Sequence, residues 1–167
     1  GWISPRSPVF YEYLTGFQFL DFYSRLFGIS RSIRQARVDR LLEQVGLSYA
    51  HDIPLRKYSK GMIQRAGIAQ ALINDPDLVI LDEPMSGLDP IGRKDVRDII
   101  FQLKENGKTV FLSSHILQDV EMICDRVAIL IKGQLRKLGP LSELLSEQKG
   151  SEVELTVSKL PPLATEQ

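Results

Sequence analysis

Residues 78–90 read Leu-Val-Ile-Leu-Asp-Glu-Pro-Met-Ser-Gly-Leu-Asp-Pro. Four branched apolar residues in a row, Leu78 to Leu81, suit a parallel strand covered on both faces. Such strands deliver polar residues to the carboxyl edge of a sheet, where ligands bind. Asp82 and Glu83 fall at that edge. Adjacent carboxylates on an extended chain project to opposite faces, so one can hold a divalent cation while the other polarises a water. The pairing points to hydrolysis of a nucleoside triphosphate. For this stretch taken alone, a solvated pair of charges at a strand end remains the alternative.

The flanking segments extend the pattern. Asp89 is placed to cap a helix with Pro90 at its first position, and Val96, Ile99, Ile100 and Leu103 mark its buried stripe until Asn106-Gly107 ends it. Lys108 to Ser114 reads as a second strand, with His115 following at the same sheet edge as Asp82. Upstream, Ser59 caps a helix that runs to about Ile73 and is apolar on most sides, which predicts packing between layers. Its start offers free backbone N–H groups and a positive dipole end to an anion, and Lys60 adds a charge that could reach a phosphate. Alternating strands and helices give an α/β domain with a mainly parallel sheet.

Together these segments resemble the ATP-binding-cassette (ABC) ATPases, a P-loop NTPase fold with helices on both faces of the sheet and a helical subdomain. Ser59 to Met62 match the signature loop, with Lys60 at its first glycine position and Met62 in place of the usual Gln. Leu78 to Pro84 match the Walker B strand and the glutamate after it, Ser86 to Asp89 the D-loop, and Ser113-Ser114-His115 the histidine switch. The resemblance runs from about Tyr11 to about Leu145. It implies ATP and Mg²⁺ as cofactors, with Asp82 holding the metal, Glu83 as general base and His115 contacting the γ-phosphate. It also implies that Ser59, Lys60, Gly61 and Met62, with Gly87, Leu88 and Asp89, meet nucleotide across a head-to-tail homo- or heterodimer of two such domains. The expected setting is cytoplasmic, peripheral on the membrane through a separate membrane-spanning transporter subunit, with no nucleic acid as partner. The variant motifs look most like exporters.

No segment has the form GxxxxGK[ST], the loop whose backbone cradles the phosphates. In the ABC resemblance that loop lies ahead of Gly1, so residues 1–150 read as the carboxyl-terminal two-thirds of a nucleotide-binding domain with an incomplete core. Within it, about 11–75 is the helical subdomain and signature helix, and about 76–150 runs from Walker B onward. Such a chain alone should bind Mg-ATP poorly and not hydrolyse it. Alignment also places Arg6 where the family has a Gln or Glu that senses Mg²⁺, and an Arg cannot coordinate a cation. Two alternatives stay open: a non-catalytic partner-binding module, and a non-transport ABC protein of translation or DNA repair.

Composition sets outer bounds. The chain has 167 residues, 43% of them hydrophobic, enough for one domain with a core. Lys plus Arg equals Asp plus Glu at 21 each, so no overall field favours nucleic acid or anionic membrane. A single cysteine, Cys124, excludes an internal disulfide and reads as core. No apolar run reaches the roughly 18 residues of a membrane span.

Between Tyr11 and Leu47, Val38, Leu41, Leu42 and Val45 follow helical spacing, with Gly46 as the stop. Most of the aromatics lie between Trp2 and Phe27; core packing is their expected role, beside a docking role for a membrane subunit. Arg31, Arg34, Arg37 and Arg40 form a drifting stripe, read as a solvated face. Arg126 to Ile131 and Gln134 to Leu138 flank Lys132-Gly133, a hairpin signal, and Leu141, Leu144 and Leu145 make a short amphipathic helix. Residues 151–167 predict a weakly ordered tail.

Overall fold

A computed structural model describes residues 2–3 and 11–148; Arg6 and the tail at 151–167 lie outside them. The chain divides between Ile123 and Cys124 into two units, so the expected helical subdomain and the Asp82 strand share the first.

The first unit is α/β. Its sheet has the order β1 (Trp2–Ile3), β2 (Leu78–Leu81), β3 (Thr109–Leu112), all parallel. The β2 to β3 crossover is α4 (Pro90–Glu105), capped by Asp89, whose Oδ1 accepts from Gly92 N at 3.0 Å. The predicted stripe of α4, Val96, Ile99, Ile100 and Leu103, is buried, and Asn106 is its C-cap. Ahead of the sheet come α1 (Gly16–Leu26), α2 (Arg31–Gln44) and α3 (Lys60–Ala71). Thr15 and Gln18 form a reciprocal capping box on α1. Val38, Leu41, Leu42 and Val45 are buried as their spacing predicts, and Gly46 takes φ +64° to end α2. α3 packs against α1, α2 and α4, and between Gly61 and Ala71 it has no exposed position. Its weak sidedness in sequence is therefore that of a helix at least half-covered on every side.

The sheet departs from expectation on one face. Val79 and Leu81 are buried, but Leu78 is 46% exposed, and Phe111, in register with Ile80, is 61% exposed. Cα partners in a parallel pair share a face, so Leu78, Ile80 and Phe111 line a side that the described residues leave open.

Three other expectations change. The aromatics near α1 do not enter the core: Tyr11, Phe19, Phe22 and Tyr23 stack on one another with centroids 5.2–5.8 Å apart, while Leu20 alone carries α1's large buried side chain. Burial first, then the bond to Tyr11, pushes the Tyr23 phenol up to about 12. The Arg stripe is partly turned inward: Arg34 Nε lies 2.9 Å from Asp21 Oδ1 on α1, and Arg37 Nε donates to the Ile73 carbonyl at 2.5 Å. The Asp21 carboxylate and the Ile73 carbonyl, just past the end of α3, give these guanidinium groups charge-assisted partners that a solvated face would lack. Cys124 is half-buried rather than core.

A short helix, α5 (Leu117–Ile123), ends the first unit, and the second contains the hairpin β4 (Arg126–Ile131) and β5 (Gln134–Pro140), then α6 (Leu141–Gln148). Lys132 and Gly133 have φ +52° and +75°, the paired left-handed residues of a type I′ turn.

Candidate functional site

The carboxyl edge of the sheet gathers the predicted residues from two strands. β2 ends in Asp82 and Glu83, and β3 runs into Ser113, Ser114 and His115. Ser113 N donates to Leu81 O at 3.0 Å, carrying the ladder one residue beyond β3 and bringing its hydroxyl between the two carboxylate residues. That hydroxyl accepts from Glu83 N at 2.8 Å and donates to Asp82 Oδ1 at 2.7 Å. His115 Nδ1 lies 2.8 Å from Glu83 Oε1.

The extended geometry expected at Glu83 is not what holds the carboxylates apart. Glu83 has φ +47°, a left-handed conformation that is costly for a residue with a Cβ. The strand stops there, and Ser86 N donates to Glu83 O at 3.1 Å to start the turn. Asp82 stays exposed at the edge, and Glu83 is half-buried and directed to the imidazole.

The same turn meets the start of α3. Ser59 Oγ accepts from Met62 N at 3.2 Å, and Ser59 N lies 3.5 Å from Met62 Sδ. The thioether thus fills, as a weak acceptor, the place that Glu or Gln takes in a capping box. Lys60 reaches over to Gly87: a Cβ at Gly87 would lie 2.1 Å from Lys60 Nζ, and φ +66° there already requires glycine. Gly61 sits against Gly92 of α4, with a Cβ at Gly61 only 3.8 Å from Gly92 Cα, so α3 and α4 begin side by side. Leu88 N donates to Met85 O at 3.4 Å, and Asp89 caps α4. The predicted residues therefore form two groups, Asp82-Glu83-His115 and the Ser59 start with Gly87 to Asp89, joined by one short turn.

This donor set can be tested for Mg²⁺. The ion takes one or two carboxylates and completes its shell with phosphate oxygens and waters. Asp82 offers an exposed carboxylate of that kind, and among the described residues no cluster of three or more His, Cys, Asp or Glu forms a protein cage. The residues fit a metal shared with nucleotide.

Residues 5–86 match the ABC transporter family. An uncharacterized ABC transporter ATP-binding protein of Synechocystis sp. is 55% identical over 153 residues, 90% of this chain and 43% of that protein. The chain belongs to the ABC transporter family of ATP-binding proteins. It is also 41% identical to the bacitracin transport ATP-binding protein BcrA of Enterococcus faecalis, across 83% of the chain and 44% of the relative. With a fluoroquinolones export ATP-binding protein of Mycobacterium tuberculosis it shares 40% identity, across 85% and 46%. The ABC chain spans less than half the length of these three curated relatives.

Within this ABC chain, sequence reasoning missed two residues. Ser113 enters the sequence reading only within the segment leading to His115, although a hydroxyl one residue past a strand beside a carboxylate strand is a natural bridge. Arg65, the lone charged residue between Gly61 and Ala71 of α3, carries a signal in that contrast. Among the described residues no helix is long and apolar enough to cross a membrane.

Proposed function

We propose that this chain contributes the Walker B, signature and switch parts of an ATP-hydrolysing subunit that powers export through a separate membrane-spanning protein. Residues 1–150 would form part of a nucleotide-binding domain on the cytoplasmic face of the membrane, paired with a second such domain. The observation that carries the reading is the Ser113 hydroxyl, which fixes Asp82 and Glu83 at one sheet edge while His115 engages the Glu83 carboxylate. The name of the fluoroquinolones export relative supports the export direction, and that of the bacitracin relative supports transport.

The geometry supports a role for each residue. Asp82, exposed at the edge, would hold Mg²⁺, which when bound would neutralise charge on the transferred phosphoryl group. Glu83, half-buried and paired with His115, would accept the proton of the attacking water at its carboxylate. His115, mostly exposed, is free to turn its other ring nitrogen toward a γ-phosphate while keeping Nδ1 on Glu83. Ser59 to Met62 present the amino end of α3, and Lys60 a flexible ammonium, to a phosphate held by the partner domain. Asp89, already committed to capping α4, would transmit shifts of that interface into the turn at residues 83–89.

The test is Glu83→Gln in an ATP-hydrolysing assembly that contains this chain. Turnover should fall by about 10²–10⁴ with nucleotide binding retained. Undiminished turnover would sink the assignment.

A further inference from the structure

Arg65 joins three acceptors within the first unit, and the proposed chemistry gives it no task. It lies midway along α3 with its side chain 13% exposed. Its Nη1 donates to the Val45 carbonyl at 3.2 Å and the Gly46 carbonyl at 3.3 Å, and lies 3.4 Å from Asp95 Oδ2 on α4. The two carbonyls close α2, where unsatisfied C=O groups gather partial negative charge. Gly46 is shaped for the contact: a Cβ there would come 3.1 Å from Nη1. Arg65 Nε is buried without a partner among the described residues, a cost tolerated for the sake of the other contacts.

One guanidinium thus joins the end of α2, the middle of α3 and the second turn of α4. We infer that Arg65 is a positioning residue that sets the direction in which the amino end of α3 points. Ser59 is six residues upstream, less than two helical turns, so a small tilt at Arg65 becomes a displacement at the start. Because α4 follows directly from the turn at residues 83–89, the same clamp holds the Ser59 start in register with the Glu83 edge. The importance of that register for hydrolysis rests on the nucleotide reading above; the clamp does not.

Amide hydrogen exchange on wild type, Arg65→Lys and Asp95→Asn tests the clamp. Lysine keeps the charge, but its compact, strongly hydrated ammonium ends short of the place that Arg65 Nη1 occupies between its three acceptors. Arg65→Lys should speed exchange about tenfold at Ile63, whose N–H bonds Ser59 O, and at Leu47, whose N–H bonds Leu42 O, while β2 is unmoved. Asp95→Asn leaves the α2 contacts in place, so Ile63 should respond and Leu47 should not. Uniform acceleration along the chain, or none, overturns the clamp. In an ATP-hydrolysing assembly that contains this chain, Arg65→Lys should lower kcat about tenfold with little change in KM for ATP. An unchanged kcat, or a loss confined to KM, overturns the positioning role. Full turnover in Glu83→Gln would instead overturn the hydrolysis reading and leave the exchange result standing.

Discussion

Removing one oxygen atom, in Ser113→Ala, should disconnect the two carboxylate residues. The hydroxyl accepts Glu83 N–H at 2.8 Å and donates to Asp82 Oδ1 at 2.7 Å. A hydrogen bond to a charged acceptor contributes about 1.5–3 kcal/mol, and a half-buried N–H left unpaired costs on the order of 1 kcal/mol more. Two effects reduce the sum. Asp82 is exposed, so water replaces much of its lost bond, and Glu83 can relax from its left-handed backbone, recovering about 1 kcal/mol. The net loss is about 1 kcal/mol, which for a chain of this length lowers the thermal midpoint by about 3 °C. Circular dichroism melts of wild type, Ser113→Ala and Ser113→Thr at neutral pH read it directly, threonine being the control that keeps the hydroxyl. A Ser113→Ala midpoint within about 1 °C of wild type, or an equal drop in Ser113→Thr, refutes the bridge.

Gly16→Ala places a Cβ 2.2 Å from the Tyr58 hydroxyl, which is held by the Ala50 carbonyl at 2.8 Å, and should cost about 1–3 kcal/mol in urea unfolding. Adding Tyr58→Phe should make the pair less damaging than the sum of the singles; additive losses would rule out the clash. Gly92→Ala brings a Cβ 2.8 Å from Asp89 Oδ1 and should displace the cap of α4 at a cost of about 1–2 kcal/mol. Asp89→Ala should then add almost nothing to Gly92→Ala, and a full further loss would refute a shared cap. The Asp75 carboxyl is held below its ordinary range by its bond to Lys108, so its stabilisation is present above about pH 4 and fades as pH falls. Asp75 is 70% exposed, so Asp75→Asn should cost under about 1 kcal/mol at pH 7, and the deficit should shrink steadily as pH falls below about 4. An Asp75→Asn deficit that persists undiminished in acid would refute the linkage.

Much of the first unit was legible because periodicity and caps agreed. α4 followed from Asp89-Pro90, four correctly spaced apolar residues and Asn106-Gly107, all local signals. The hairpin followed from Lys132-Gly133 for the same reason. What escaped was set by partners distant in sequence. The inward turn of Arg34 and Arg37 depends on Asp21 and the Ile73 carbonyl, which no window around α2 contains. The self-stacked aromatics beside α1 have the composition of a core, and only packing shows that Leu20 fills that place. At the candidate site, residue types and sheet edge were readable from strand endings. The left-handed turn at Glu83 was not, since Glu carries no preference for positive φ and the conformation is imposed by Ser113 and the following turn.

That conformation sets two selection pressures against each other at one position. A search for thermal stability alone, blind to turnover, would be drawn at position 83 toward Asn or Gly, which accept positive φ readily. Either exchange would erase the carboxylate beside His115. Libraries built on this scaffold and sorted only for heat resistance should therefore lose the side chain on which the proposed chemistry depends, whereas a Glu that persists under such sorting would mean the backbone there is less constrained than its φ implies.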